Sequence, residues 1–154
     1  MSLSPKEREL VSLGASIASG CERCTEVHVR DAPKAGASRE EIASAIKRAL
    51  EVREAAQRVM RRHAVKVFGR RLFGPGPDDP EGVAEEVADG GEPPTRIGAL
   101  VGIAASHAVN CPGVLEEHAE AALELGVTER EIQSVLRLSK FIKGKADSLC
   151  CKWI

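Results

Sequence analysis

Shifted by 90 residues, the chain lies over itself without a gap. The stretch "LVSLGASIASGCERCTEVHVRDAPKAGASREEIASAI" meets "LVGIAASHAVNCPGVLEEHAEAALELGVTEREIQSVL". Leu10, Val11, Ala15, Ser16, Ala18, Cys21, Glu26, His28, Gly36, Glu41, Ile42 and Ser44 fall on identical residues. Their partners are Leu100, Val101, Ala105, Ser106, Ala108, Cys111, Glu116, His118, Gly126, Glu131, Ile132 and Ser134. A duplication of this kind requires two copies of one local structure, which are expected to pack against each other.

Each copy reads as three helices. The first opens at "SPKE", with Ser4 as N-cap, Pro5 in the first turn and Glu7 completing a capping box. Leu10, Leu13 and Ile17 recur at helical spacing until Gly20 stops the run. The second helix is expected from about Cys21 and to end by Gly36, kinked or shortened by Pro33. The third starts at "SREE", with Ser38 and Glu41 as a second capping box. It runs through Ile42, Ile46 and Leu50 and continues, intact or broken, through "AAQRVMRRHAVKVF". The second copy repeats the plan at 97–109, then 112–125 opening at Pro112, then 129–148 opening at "TERE" (Thr128 to Glu131). No stretch shows strand alternation. The expected fold is all-α, with duplicated three-helix units packed as one helical domain over 1–154. The first repeat spans 5–72, and the second, degenerate repeat spans 95–149.

Between the copies the charge swings. Residues 47–71 hold nine Lys or Arg against two acids. Residues 74–94, "GPGPDDPEGVAEEVADGGEPP", hold seven acids, no base, five Gly and five Pro. So little apolar surface cannot offset the entropy of ordering, and this stretch is expected to be a mobile acidic linker. The basic run reads as a solvated helix face or a partner for that linker.

With 154 residues, net charge −1, no Tyr and one Trp, the chain has neither the positive field nor the stacking surface of a nucleic-acid binder. The opening "MSLSPKEREL" lacks the apolar core of a signal peptide. No apolar run approaches the roughly 20 residues that span a bilayer. The expected setting is cytoplasmic, without membrane attachment. Thiols stay reduced there, so five cysteines point to redox or metal chemistry, or to core filling, before a disulfide framework.

The chemistry concentrates in "CERCTEVH". On a helix of 100° per residue Cys21, Cys24 and His28 fall within one arc of about 60°, so two thiols and an imidazole can meet at one point. The first turn of a helix also favours a thiolate through its unpaired N–H groups. A zinc site would need a fourth ligand, for which Cys111, His107, His118, Cys150 or Cys151 are available without any second CxxC to mark them. A pair of buried, inert thiols is the third reading. The residues alone leave all three open.

Glu9, then CxxCxxxH starting twelve positions on, and then "AGASREEI" resembles the AhpD-like alkylhydroperoxidases of the carboxymuconolactone decarboxylase superfamily. The resemblance covers residues 5–50 almost completely, the second copy weakly and 51–94 not at all. It implies a peroxide-reducing dithiol in which Cys24 attacks the peroxide and becomes a sulfenic acid. Cys21 then donates a proton and resolves it as a Cys21–Cys24 disulfide. His28 and Glu9 are implied to form the proton relay, with no cofactor and no metal. Glu9 sits one residue from the apolar stripe, where a partly buried carboxylate could pass protons.

The chain departs from that pattern at Pro33 and in the second copy, where Val114 stands for the second thiol and Ala99 for the acid. That copy cannot run dithiol chemistry, so Cys111 and His118 read as structural remnants. The adjacent Cys150 and Cys151 read as free thiols or an incidental tail, since neighbouring cysteines make only a strained disulfide. Two functions of different class follow. One is a thiol peroxidase or disulfide reductase acting on hydrogen or alkyl peroxides, recharged by a lipoyl-type adaptor or thioredoxin-like protein. The other is a non-redox, lactone decarboxylase-type enzyme, against which the dithiol speaks. A helical oligomerisation or binding module stands third. The repeat and the resemblance together imply a homo-oligomer, trimer or hexamer.

Overall fold

The computed structural model describes residues 2–68 and 94–150, in six α-helices and one 3₁₀ turn. In chain order these are α1 (Pro5–Ala18), α2 (Glu22–Asp31), the 3₁₀ turn (Pro33–Ala35), α3 (Arg39–Phe68), α4 (Arg96–Ala108), α5 (Pro112–Glu124) and α6 (Glu129–Cys150). There is no strand among the described residues, and the fold is all-α. The acidic stretch expected as a linker lies outside the described residues except for Pro94. So do 69–72 at the end of the first repeat, the side chain of Cys150, and Cys151. No helix among the described residues is long and apolar enough to cross a membrane.

The capping residues act where the sequence places them. Glu7 N–H donates to Ser4 Oγ at 3.2 Å while Ser4 N–H donates to Glu7 Oε2 at 2.8 Å. Ser38 and Glu41 repeat this box at the start of α3, and Thr128 and Glu131 at the start of α6. Each satisfies orphan N–H groups of a first turn. The third helix, which the sequence left intact or broken, is continuous. Its 30 residues contain neither Gly nor Pro and are rich in Ala, Glu and Arg. Pro33 ends α2 early, and Gly36 closes the 3₁₀ turn at φ 90°. In the second copy Leu123 replaces that proline, and α5 runs for 13 residues against 10 in α2.

The repeat is visible in space. Position 20 and its equivalent 110 both take the left-handed conformation, Gly20 at φ 73° and Asn110 at φ 56°. Asparagine is one of the few side chains that visits that region routinely. Lys6 pairs with Glu41 at 2.8 Å, and the equivalent Arg96 pairs with Glu131 at 2.8 Å. Arg96 also reaches Glu7 at 2.8 Å, so one guanidinium ties the two copies together.

The two copies meet where α1 packs against α4. Gly14 permits the close approach, since a Cβ there would lie 2.7 Å from Val101 Cγ1. Around this crossing Leu10, Leu13, Leu100 and Ile103 are wholly buried, each worth roughly 1.5–3 kcal/mol of transfer free energy. At one end of the bundle the starts of α1, α3, α4 and α6 surround a groove of about 1120 Å³ lined by Lys6, Glu7, Glu41, Arg96 and Glu131 among others. Its carboxylates serve the capping boxes and ion pairs. Hydrogen bonds from the Thr128 backbone and hydroxyl, with Arg96 beside them, hold Glu131 down at about 2. This groove is a structural junction whose lining includes none of Glu9, Cys21, Cys24 or His28.

Candidate active site

The site forms where α1 turns into α2. Gly20 reverses the chain, and the Cys21 amide donates back to the Ser16 carbonyl at 3.0 Å. Cys21 is thereby set outside the helix as the N-cap of α2. This corrects the helical arc read from the sequence, in which Cys21 belonged to the same helix face as Cys24 and His28. The cap brings the sulfurs together instead. Cys24 N–H donates to Cys21 Sγ at 3.2 Å, and Cys21 and Cys24 are joined as a disulfide with their Cα atoms 5.3 Å apart. Thr25 braces the turn, its hydroxyl donating to the Cys21 carbonyl at 2.9 Å. Cys21 is buried, at 7% exposure, whereas Cys24 is half-buried and packs against the main apolar core.

His28, one turn beyond Cys24, faces α1. Its Nδ1 lies 2.8 Å from Glu9 Oε2, both side chains being mostly withdrawn from water. A carboxylate can only accept, so Nδ1 carries the proton and the tautomer is set, leaving Nε2 as the other working nitrogen. The structure thus places Glu9 against His28 and Cys21 against Cys24, all within one helix–turn–helix. Such a set can hold a proton on the imidazole beside a dithiol that opens and closes.

The second copy shows the same scaffold with different contents. Cys111 is again a buried N-cap, but its thiol is free and makes no capping hydrogen bond. Val114 stands in the place of Cys24. Ala99, in the place of Glu9, is buried in the core. His118 therefore lacks a carboxylate and packs flat against α4. A Cβ on Gly102 would lie 2.6 Å from its ring, while the first copy carries Ser12 at that position. Burial, with the Arg48 guanidinium adding to it, pushes His118 down to about 4. It is neutral at pH 7.

Two arrangements near this copy escaped sequence reasoning. Arg48 of α3 lies beside Gly98 of α4 and near enough to His118 to lower its basicity, a proximity that no local pattern encodes. His107 Nδ1 lies 2.9 Å from Ser139 Oγ, whose own hydroxyl donates to the Ala104 carbonyl at 2.8 Å. The serine proton being committed, His107 must donate from Nδ1. Burial, then Lys143 and Lys140, lower its basicity. The first copy has Ile17 and Ala49 at these positions, so only comparison of the two copies would have flagged the pair. Of the zinc ligands that the sequence offered, Cys21 and Cys24 are bonded to each other. Among the described residues no group of three or more His, Cys, Asp or Glu is placed to hold a metal ion.

The model of the carboxymuconolactone decarboxylase family matches residues 1–66 and 81–147, which include all but the last residues of α3 and α6 among the helices of both copies. No curated protein matches the chain.

Proposed function

Because the chain belongs to the carboxymuconolactone decarboxylase family, we propose that it is the dithiol, peroxide-reducing kind of member, with Cys21, Cys24, His28 and Glu9 as its working residues. The observation that carries this reading is the pairing of a Cys21–Cys24 disulfide with a Glu9–His28 hydrogen bond in one turn of structure. Decarboxylation of a lactone has no use for a dithiol, which is why the redox reading is preferred within the family.

The chemistry balances with the residues present. Cys24, the more exposed sulfur, gives its proton to His28 Nε2 and attacks the terminal oxygen of the peroxide. The O–O bond breaks, Cys24 becomes a sulfenic acid, and the departing alkoxide takes the proton back from His28 as an alcohol. Cys21 then attacks the Cys24 sulfur, its thiol proton leaving through the same imidazole. Hydroxide departs as water and the disulfide closes. One peroxide and two thiols become one alcohol, one water and one disulfide. Glu9 holds the imidazole oriented and stabilises its charged form.

An external dithiol must close the cycle, of the lipoyl-adaptor or thioredoxin-like class, in a reducing compartment such as the cytoplasm. The assembly is proposed as a homo-oligomer, trimer or hexamer, since two fused copies already supply the pairing that a single-copy chain needs a dimer to make. Thiol titration before and after one equivalent of peroxide tests the chemistry. Loss of two thiols per chain is expected, together with turnover in a steady-state assay supplied with dihydrolipoamide or reduced thioredoxin. Peroxide that leaves the thiol count unchanged overturns the redox reading.

A further inference from the structure

The second half of α3 leaves the bundle. Val52 and Ala56 are its last buried residues, and none from Gln57 to Val67 is buried. Yet the apolar stripe does not stop at the edge of the core. It continues at helical spacing through Val59, Met60 and Val67, which are 39%, 62% and 60% exposed. Lys66 and Arg62 lie along one edge of it, with Arg58 and Arg61 farther round the helix, and no acid follows Glu54 in this helix. Among the described residues these four cations have no ion-pair partner.

Topology says which part of the chain lies within reach of this face. Glu40, Glu41 and Ser44 from the start of α3 line the same groove as Thr95, Arg96 and Ile97 at the start of α4, so both helices begin at one end of the bundle. Thirty residues of helix carry the end of α3 about 45 Å away from there. The chain must cover that distance again between Phe68 and Pro94. The 25 residues available reach roughly 85 Å when extended, enough for the return with slack to spare. Within them, residues 78–92 carry seven acids, no base and the apolar Val83, Ala84 and Val87.

We propose that the basic second half of α3 between Arg58 and Val67, with its apolar stripe edged by Arg62 and Lys66, is a docking surface for the acidic segment 78–92 of the same chain. The opposed charges, the matching apolar residues and the obligatory return path all select this occupant. Tethering at both ends raises the segment's local concentration to the millimolar range, so individually weak surface pairs suffice. The contact is electrostatic and exposed, and salt screens it over a Debye length of about 8 Å at physiological ionic strength. It is independent of the dithiol.

Amide hydrogen exchange on the full chain, read in peptides covering 57–68, provides the test. Protection there is expected to be lost when the seven acids are neutralised (Asp78→Asn, Asp79→Asn, Glu81→Gln, Glu85→Gln, Glu86→Gln, Asp89→Asn, Glu92→Gln), with exchange in α1 and α4 unchanged. High salt on the unmodified chain should produce the same loss, which keeps the test independent of how the variant folds. Protection that survives both treatments overturns the proposal. So does protection that rises with protein concentration and ignores the neutralisation, which would assign the face to a second copy.

Discussion

Glu9 and His28 meet across 2.8 Å from two different helices, and the proposed proton relay rests on that contact. Glu9→Gln keeps the shape and removes the charge that stabilises an imidazolium. It should slow peroxide turnover by roughly one to two orders of magnitude and alter the pH profile, with the fold intact by circular dichroism. His28→Ala should cost more, since both the proton carrier and the neighbouring cation disappear. The two sulfurs are separable by trapping. Cys24→Ser should abolish peroxide consumption, while Cys21→Ser should leave a Cys24 sulfenic acid that dimedone captures, because no resolving thiol remains. A dimedone adduct on Cys21 in the Cys24→Ser protein would reverse the proposed roles. Cys111, buried and without Cys24 and Glu9 equivalents beside it, should tolerate Cys111→Ser with turnover retained and melting temperature reduced.

Among the elements, α4 is packed on every side, and its glycine is a measure of how closely. The His118 ring occupies the space that a side chain at Gly102 would need. Gly102→Ala gains helix propensity, worth up to about 1 kcal/mol, but forces a buried ring to move, and overpacking of that kind costs about 1–3 kcal/mol. A net loss in denaturant midpoint is expected, and His118→Ala in the same chain should relieve it. If Gly102→Ala is as stable as the parent, the ring is not confined as described. The capped starts of α1, α3 and α6 were legible from Ser4, Ser38 and Thr128, because a cap is a local hydrogen bond between residues three apart. The unbroken run of α3 past Leu50 was less legible, since continuity depends on the absence of any breaker rather than on a signal.

At the scale of the whole molecule, acid sensitivity should follow from the second copy. His118 in the folded chain takes a proton only near pH 4, against 6.5 for a free histidine. Between those values the unfolded chain binds more protons, so stability is fully present above 6.5 and falls as pH drops toward 4. Because the ring is mostly but not wholly buried, the effect is limited to roughly 1–2 kcal/mol. His107, lowered by burial and its lysines, acts in the same direction. Glu131 adds a separate loss as pH falls from 4.5 toward 2, where its carboxylate finally takes a proton. Melting temperature followed from pH 7 to 4 should therefore decline in the parent and decline less in His118→Gln. An unchanged slope in that variant would remove His118 from the account.

The sequence by itself determined the all-α class, the duplication, the three-helix plan of each copy and the family, because each rests on patterns between near neighbours or on identity at a constant shift. The position of Cys21 as a cap was within reach too, since Gly20 marks the break that puts it there. What only the tertiary structure decided lies between residues far apart in the chain. The resemblance names Glu9, but only the fold-back of α2 onto α1 sets His28 2.8 Å from it. Arg96 became the tie between copies only when Glu7 and Glu131 arrived from two other helices. The loss of a carboxylate at Ala99 was readable as a missing catalytic acid. That His118 would then press against a bare Gly102 was not, because the space a ring can occupy is set by the helix it packs on, and that helix is chosen by the whole fold.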